Sequence, residues 1–235
     1  MLSICIPTMN RWKFLKDTLP IFLDQSVVKE VILCDENGND IEMIKKSSFS
    51  KDPKLHLVQN EKRLGIYENK KKVASLAKCE WVAILDSDNI FPEEWFEGIE
   101  EILRKDKEKK TIYASAFFRN VNLDTKEEIR PCFEFDGLEL DRYSWNTMFE
   151  RPRWNFLLND GNWVVPKKAL DVLPNVSSEK LLAADAIFMV RCWIQAGYTI
   201  EYVKGLEYIH TVHNESSWLS TETESTKILN SDWRI

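Results

Sequence analysis

A short apolar stretch that ends in two carboxylates constrains the fold of this chain more than any other feature. Residues 81–85 (WVAIL) carry no formal charge, and Asp86-Ser87-Asp88-Asn89 follows at once. An uncharged run of this kind is typical of a central strand of a parallel sheet, buried on both faces. In open α/β sheets, ligands bind outside the carboxyl ends of the strands. Asp86 and Asp88 therefore stand where they could hold a divalent cation and, with it, a diphosphate.

The first hundred residues alternate between strand and helix patterns. Helices are predicted from residues 12, 41, 66 and 92, and each follows a strand, predicted at residues 2–6, 29–34, 55–59 and 81–85. Pro20 predicts a kink or a break near Leu19 in the first helix. Alternation of this kind is typical of a parallel sheet with crossover helices, which is an α/β fold.

The second half of the chain is less regular. Strands are predicted at residues 111–120, 128–135, 161–166 and 199–203. Residues 136–159 read as an irregular stretch, and residues 184–194 as an apolar helix with Gly197 as its C-cap. Residues 221–235 are rich in Ser, Thr and Glu and are expected to form a loosely held polar tail. Without an internal repeat or a low-complexity linker, a single domain over residues 1–220 is the simplest organisation.

Composition excludes several classes of function. The net charge of -6 disfavours nucleic-acid binding through a broad basic surface. No apolar run approaches the ~20 residues of a membrane helix, and the chain opens on a strand pattern rather than a signal peptide. We therefore expect a cytoplasmic protein without a membrane span. The five cysteines are scattered and form no Cys-x-x-Cys pair, which argues against a zinc site built on cysteine.

Gly-rich fingerprints for dinucleotides and the phosphate-binding P-loop are both absent from the sequence. A diphosphate would therefore be neutralised by a metal or by side chains. Hard cations such as Mg²⁺ and Mn²⁺ prefer oxygen ligands. Alternate residues of a strand point to opposite faces, so one carboxylate of the Asp86/Asp88 pair could hold the cation while the other binds a ribose hydroxyl or water.

Four segments carry polar residues next to apolar runs: residues 4–11 (ICIPTMNR), 31–40 (VILCDENGND), 63–69 (RLGIYEN) and 84–96 (ILDSDNIFPEEWF). In their order and spacing they together resemble the motifs of family 2 glycosyltransferases of the GT-A fold. The resemblance covers the first hundred residues well and the rest more loosely. It implies a central, mostly parallel twisted sheet flanked by helices. It also implies transfer of a sugar from a UDP- or GDP-sugar to a glycan or another hydroxyl acceptor, with Mn²⁺ or Mg²⁺ as cofactor.

The resemblance also implies which residues form the site. Residues 1–106 would bind the nucleotide and residues 107–213 would hold the acceptor and the catalytic group. The nucleotide-sugar contacts would be Pro7, Thr8, Asn10, Arg11, Asp35, Arg63, Asn69, Asp86 and Ser87. Within this set Asp35 would accept a hydrogen bond from the base, and Arg11 would lie near the phosphates. Asp88 would be the direct metal ligand. The loop after Asp35 lacks the family's usual Asp-Gly-Ser, which leaves the base open.

Asp185, at the start of the apolar helix, is the candidate general base. A lone carboxylate there is often only a partner of the helix dipole. The resemblance implies instead that Asp185 deprotonates the acceptor hydroxyl for in-line attack with inversion, although Ala184 replaces the acid of the family's Glu-Asp pair. It also implies His213 as a metal ligand, with His210 as the alternative, and Trp163 as an acceptor contact.

Two other interpretations remain open from the sequence. A haloacid-dehalogenase-like phosphatase also places Asp-x-Asp after an apolar strand, although Ile90 stands where Thr or Val usually follows. A non-catalytic module that binds a sugar nucleotide or a glycan would keep the fold without the base.

Overall fold

The computed structural model of the protein describes residues 1–106, 108–116, 118–122, 125, 137–148, 158–214 and 216–235. The strands in this part of the chain are β1 Leu2–Thr8, β2 Val28–Asp35, β3 Leu55–Gln59, β4 Trp81–Ile84, β5 Thr111–Ser115, β6 Phe118–Asn122, β7 Glu139–Leu140, β8 Trp163–Pro166, β9 Thr199–Val203 and β10 Tyr208–Val212. The α-helices are α1 Trp12–Asp24, α2 Asn39–Ile44, α3 Ile66–Ser75, α4 Glu93–Lys105, α5 Arg142–Met148, α6 Asp185–Gln195 and α7 Ser217–Leu229. Two 3₁₀ helices lie at Lys167–Val172 and Ser178–Lys180.

One large sheet forms the centre of the described structure, with the strand order β3-β2-β1-β4-β8-β5-β9-β7. Strands β1 to β4 pair in parallel, whereas β8 runs antiparallel to both of its neighbours. The chain winds from β1 towards β2 on one side and returns to place β4 on the other. This reversal opens a crevice at the carboxyl ends of β1 and β4, where α/β folds bind ligands.

Strand β4 is buried on both faces, as its uncharged sequence predicts. Trp81, Ala83 and Leu85 belong to an apolar cluster that includes side chains of α1 and α4. Val82 and Ile84 belong to a second cluster on the opposite face, which includes side chains of α3 and α6. The sheet is thus covered by helices on both sides, and the carboxylates that follow β4 emerge at the edge of the core.

A second, small sheet lies over the loop that follows β4. It pairs β10 with β6 in parallel, and a bridge between Ile90 and Ile209 joins it to this loop. Thr211 strengthens the connection, because its hydroxyl donates to the carbonyl of Asp88 and its N–H donates to Asn89 Oδ1. The histidine-bearing strand β10 is therefore attached directly to the Asp86-Ser87-Asp88 loop.

Several sequence expectations are corrected. Helix α1 is continuous through Pro20, so a break there is wrong, because the exposed proline removes only one hydrogen bond on the solvent side. Residues 111–122 contribute two strands, β5 and β6, to different sheets. Residues 137–148 contain β7 and α5 rather than irregular chain. The strand predicted at residues 128–135 lies outside the described residues.

The C-terminal residues are also better held than their composition suggests. Helix α7 ends at Leu229, which is buried, and Trp233 beyond it is 7% exposed. The carbonyl of Trp233 accepts hydrogen bonds from Trp145 Nε1 at 2.8 Å and from Arg191 Nε at 3.1 Å. The prediction of a loosely held tail is therefore wrong, because these two hydrogen bonds and the buried side chains of Leu229 and Trp233 hold a mostly polar segment against the rest of the fold. No helix of the described residues is long and apolar enough to cross a bilayer.

Candidate active site

A cavity of about 470 Å³ opens at the carboxyl ends of β1 and β4. Both halves of the chain contribute to its wall. Of the residues predicted for the site, those that line it are Pro7, Thr8, Arg11, Arg63, Asn69, Asp86, Ser87, Asp88 and Asp185. The tertiary structure therefore brings residues that are up to 178 positions apart in the sequence to one cavity.

Asp88 lies at one end of this cavity between a guanidinium and an imidazole. Its Oδ2 is 3.4 Å from Arg11 Nε and 3.1 Å from His213 Nε2. Burial alone would raise the pKa of Asp88, but the hydrogen bond from His213 and the charge of Arg11 outweigh it, so the pKa is lowered. Asp88 is thus held as an anion at neutral pH, as a ligand of a cation must be.

His213 supports Asp88 from the protein interior. It follows β10, is 4% exposed, and its ring lies 5.0 Å from that of Phe14. His210, the alternative metal ligand, lines the cavity itself. Burial lowers the pKa of His210, with Asp160 opposing that effect, so its imidazole is neutral at neutral pH.

The donor atoms around Asp88 fit a divalent cation that is shared with a ligand. Asp88 Oδ2 and His213 Nε2 are 3.1 Å apart. Neighbouring ligands of an octahedral cation with bonds of about 2.1 Å are about 3 Å apart, which agrees with this separation. The described residues contain no group of three or more His, Cys, Asp or Glu side chains suited to a metal. The protein would therefore supply two ligands, and diphosphate and water the others.

Asp86 faces a different part of the cavity, towards Asp185. Lys70 lies between these carboxylates, with its Nζ 2.9 Å from Asp86 Oδ1 and 3.0 Å from Asp185 Oδ2. Burial would lower the pKa of Lys70, but Asp185 and Asp86 outweigh it and the pKa is raised. Burial raises the pKa of Asp86 to about 6, against the opposing effect of Lys70. The two carboxylates of the pair thus have separate surroundings and separate electrostatics.

The wall beside Asp86 is held by the loop that leads into β8. Asn162 Oδ1 accepts a hydrogen bond from the backbone N–H of Asp86 at 2.9 Å, and its Nδ2 donates to Asp160 Oδ1 at 3.0 Å. Tyr208 donates to the same Asp160 oxygen at 2.6 Å. Burial raises the pKa of Asp160, although both hydrogen bonds oppose this effect. The loop thus fixes the position of the backbone that carries Asp86.

Other predicted nucleotide contacts also line the cavity. Thr8 and Asn69 line the cavity with side chains already engaged in the protein: Thr8 Oγ1 donates to Asp40 Oδ2 at 2.5 Å, and Asn69 Nδ2 donates to the carbonyl of Cys34 at 3.0 Å. Arg63 lines the same region. Glu36 lies beside Arg63 and accepts hydrogen bonds from the N–H groups of Leu64 and Gly65 at 2.6 and 3.0 Å.

Two of the predicted nucleotide contacts, Asp35 and Asn10, lie outside the lining of the cavity. Asp35 is fully buried, and its carboxylate accepts hydrogen bonds from the N–H groups of Asn37 at 3.2 Å and Ile41 at 3.1 Å. Asn10 accepts hydrogen bonds from the side chains of Asn37 and Asn39 at 3.0 and 2.8 Å. Neither residue is among the described residues that line the cavity. Both shape the loop after β2, because short polar side chains satisfy turn N–H groups locally.

Trp163, predicted as an acceptor contact, lies in the core of the structure. Its side chain is 2% exposed and meets the ring of Trp193 edge-on at a centroid distance of 5.2 Å. A buried indole has no free face on which a sugar could stack. Trp145, another tryptophan considered for sugar contact, is fully buried, and Trp154 lies outside the described residues.

Lys70 is the main site residue that the sequence motifs missed. A signal was present, because Lys70 lies at helical spacing between Tyr67 and Val73/Ala74, all of them on the buried face of α3. Assigning the residues of this amphipathic helix by type alone places every lysine on its polar face. The spacing of Lys70 relative to Tyr67 and Val73 places it on the buried face instead. Glu36, Asp160 and Tyr208 also line the cavity and carried no comparable signal.

Residues 3–171 match the family described as glycosyl transferase family 2. The chain belongs to this family. Membership confirms the resemblance of the four motifs and the enzyme class that it implied, a glycosyltransferase. An uncharacterized glycosyltransferase of Methanocaldococcus jannaschii, MJ1057, is 22% identical over 225 residues, which are 94% of this chain and 73% of that protein.

Solved structures agree with the family assignment in their fold. S. aureus TarS residues 1–349 match with a TM-score of 0.65 and 16% identity over 98% of this chain. The same fragment in complex with UDP-GlcNAc matches with a TM-score of 0.67 and 16% identity, again over 98% of this chain. This family 2 chain spans 66% of the first of these TarS chains and 67% of the second. The likeness confirms the predicted GT-A fold.

Proposed function

We propose that this family 2 protein transfers a sugar from a nucleoside-diphosphate sugar to an acceptor hydroxyl, with inversion at the anomeric carbon. One observation carries the proposal: Asp86, Asp88 and Asp185 line the same cavity although two of them follow β4 and the third begins α6. Residues 1–106 would bind the nucleotide, and residues 107–213 would position the acceptor.

The donor would lie along the cavity from the Arg63 end to Asp88. Arg63 and Thr8 border the end where the base would bind, and the Arg11 guanidinium lies next to Asp88, where it can pair with a phosphate oxygen. A divalent cation on Asp88 and His213, Mn²⁺ or Mg²⁺, would stabilise the charge that develops on the departing diphosphate. TarS, whose complexes contain UDP and UDP-GlcNAc, supports a UDP-sugar as the first donor to test.

Asp185 would act as the general base. It begins α6, is 4% exposed and borders the cavity. The acceptor hydroxyl would give its proton to the Asp185 carboxylate while its oxygen bonds to the anomeric carbon. The bond between that carbon and the diphosphate oxygen breaks on the opposite side, and its electron pair leaves with the diphosphate. A single displacement of this kind inverts the anomeric configuration.

The test is release of nucleoside diphosphate from a panel of UDP- and GDP-sugars, with and without Mn²⁺ and an acceptor panel of glycans and polyols. Asp185→Asn should lower kcat by about 10²- to 10⁴-fold, since a general base contributes on that scale. Asp88→Asn should abolish the effect of Mn²⁺ on the affinity for nucleoside diphosphate. Asp17→Asn, on an exposed carboxylate of α1, serves as the matched control.

Several outcomes would contradict the proposal. Full activity in both Asp185→Asn and Asp88→Asn would refute the assigned roles. Release of inorganic phosphate from a sugar phosphate, abolished by Asp86→Asn, would indicate a phosphatase instead. Binding of the nucleotide sugar without turnover on any acceptor would indicate a binding module.

A further inference from the structure

Lys70 joins the two halves of the cavity through a single ammonium group. Its Nζ lies 2.9 Å from Asp86 Oδ1, which follows β4, and 3.0 Å from Asp185 Oδ2, which begins α6. The Lys70 side chain is 3% exposed and the Asp185 side chain 6% exposed. One buried cation is thus shared between two carboxylates that are 99 positions apart in the sequence.

The surrounding residues leave the ammonium little freedom to move. A Cβ on Gly161 would lie 2.6 Å from Lys70 Nζ and 2.5 Å from Asp86 Oδ2, so this wall approaches as closely as a glycine allows. The ring of Trp163 lies 5.6 Å from Nζ on another side. Trp163 in turn packs against Trp193 of α6, whose Nε1 donates to the carbonyl of Ala169 at 2.9 Å. The position of the ammonium is therefore determined by the core as well as by its two partners.

We propose that Lys70 is a positioning residue that holds the general base Asp185 in a fixed relation to Asp86 and thereby to the bound donor. This inference rests on the proposed function, because it assigns Lys70 a task in that reaction. Lys70 Nζ forms an ion pair with Oδ2 of Asp185 at 3.0 Å. The other carboxylate oxygen, Oδ1, would then take the acceptor proton.

Electrostatics explains why a cation is needed at this place. The ionisable groups that face Asp185 are Lys70, Asp86 and the hydroxyl of Tyr67. Without Lys70, the buried carboxylate of Asp185 and the partly exposed one of Asp86 would face each other with no opposite charge between them. Repulsion would then favour protonation of one or rotation of one away from the other. Either change removes the base from its reactive state or its reactive position. Misplacement of a reacting group by about 1 Å can cost about 100-fold in rate.

Lys70→Met tests the inference, because methionine matches the lysine side chain as far as Cε and removes the charged Nζ. We expect kcat to fall about 100-fold, while the affinity for nucleoside diphosphate, measured by calorimetry with UDP, changes less than about threefold. Lys71→Met is the matched control on the same helix, since Lys71 Nζ donates to Asn175 Oδ1 and neither residue lines the cavity, and it should leave kcat unchanged.

A purely structural role for Lys70 predicts a different pattern. In that case kcat and UDP affinity would fall together in Lys70→Met, in proportion to the folded fraction. This result would overturn the inference, as would an unchanged kcat. If Lys70→Met does not fold, Lys70→Arg takes its place, because it keeps the charge but its planar fork cannot occupy the same point. Lower kcat with retained UDP affinity in Lys70→Arg supports the inference, and wild-type kcat refutes it.

The proposed function and this inference fail in distinguishable ways. A folded wild-type protein that neither transfers nor hydrolyses any sugar of the donor panel refutes the proposed function, and the inference with it. An active wild-type protein whose Lys70→Met variant follows the structural pattern refutes the inference alone.

Discussion

Gly161→Ala is the smallest change that should inactivate the site without unfolding the protein. The added methyl group would lie 2.5 Å from Asp86 Oδ2 and 2.6 Å from Lys70 Nζ. Gly161 is not among the residues with positive φ, so alanine suits its backbone conformation. The substitution therefore acts on two side chains of the cavity rather than on the backbone.

The magnitude follows from these distances. Ordinary van der Waals contact begins at 3.4 Å, so the carboxylate and the ammonium must each move by most of 1 Å. Lys70 cannot move freely, because its side chain is 3% exposed and lies between two carboxylates. A displacement of this size at a group that positions the reaction costs about 100-fold in kcat. The free energy of unfolding should change little. Replacing glycine by alanine at a compatible site stabilises a protein by about 0.4–1 kcal/mol, because the unfolded chain has less conformational entropy, and this gain offsets part of the cost of displacing the two side chains.

The assay is sugar transfer under saturating donor, together with thermal unfolding of the same samples. Gly197→Ala is the control, because a Cβ there meets no atom within 4 Å but the backbone has a φ of +88°. That variant should lose about 1 kcal/mol of stability and keep its kcat. Gly161→Ala should thus lose activity and keep its stability, whereas Gly197→Ala should lose stability and keep its activity.

A Gly161→Ala variant with kcat within about threefold of wild type would refute the reasoning. It would mean that Asp86 and Lys70 can yield without consequence, and their observed positions would then not control the rate. A large loss of stability in Gly161→Ala would also contradict it, because the clash would have been relieved through the backbone.

Three further predictions concern stability. The pKa of Asp86 is raised from 3.8 to about 6, so its contribution to stability is present below about pH 4 and is lost as the pH rises through about 6. Because the side chain is 29% exposed, the loss of unfolding free energy should be about 1–3 kcal/mol. Denaturant titrations of the metal-free and nucleotide-free protein should show this loss in wild type and not in Asp86→Asn. Trp163→Ala should cost about 3–5 kcal/mol of unfolding free energy and leave the acceptor KM of the folded protein unchanged, whereas a raised acceptor KM with intact stability would restore the acceptor role. Removal of residues 230–235 should lower stability by about 2 kcal/mol or more, because Trp233 is buried and Trp145 Nε1 loses its acceptor; an unchanged unfolding midpoint would show that the tail is loosely held after all.

Local sequence determined most of the first half of the fold. The uncharged run of β4, the alternation of strands with amphipathic helices and the loop after each strand are consequences of short-range pattern, and the structure has them near the predicted bounds. Asp86 and Asp88 could be placed at the cavity by the same reasoning, because the carboxyl end of a buried parallel strand opens into a crevice. Proline and glycine signals were reliable where they act locally, as with Pro92 at the N-cap of α4 and Gly197 after α6.

The tertiary structure alone decided what each polar side chain contacts. Asp35 and Asn10 carry suitable groups in suitable motifs, yet turn N–H groups and neighbouring amides engage them before a ligand can. Lys70 looks like one of three equivalent lysines in the sequence, and only the packing of α3 against α6 and β4 makes it the cation between Asp86 and Asp185. The Asp86/Asp88 pair at the end of β4 is thus a feature of the sequence. The sequence does not show that Asp86 pairs with Lys70 while Asp88 contacts Arg11 and His213. The physical reason is that backbone pattern depends on neighbours a few residues away, whereas charge pairing depends on groups that only the completed fold brings within hydrogen-bond distance.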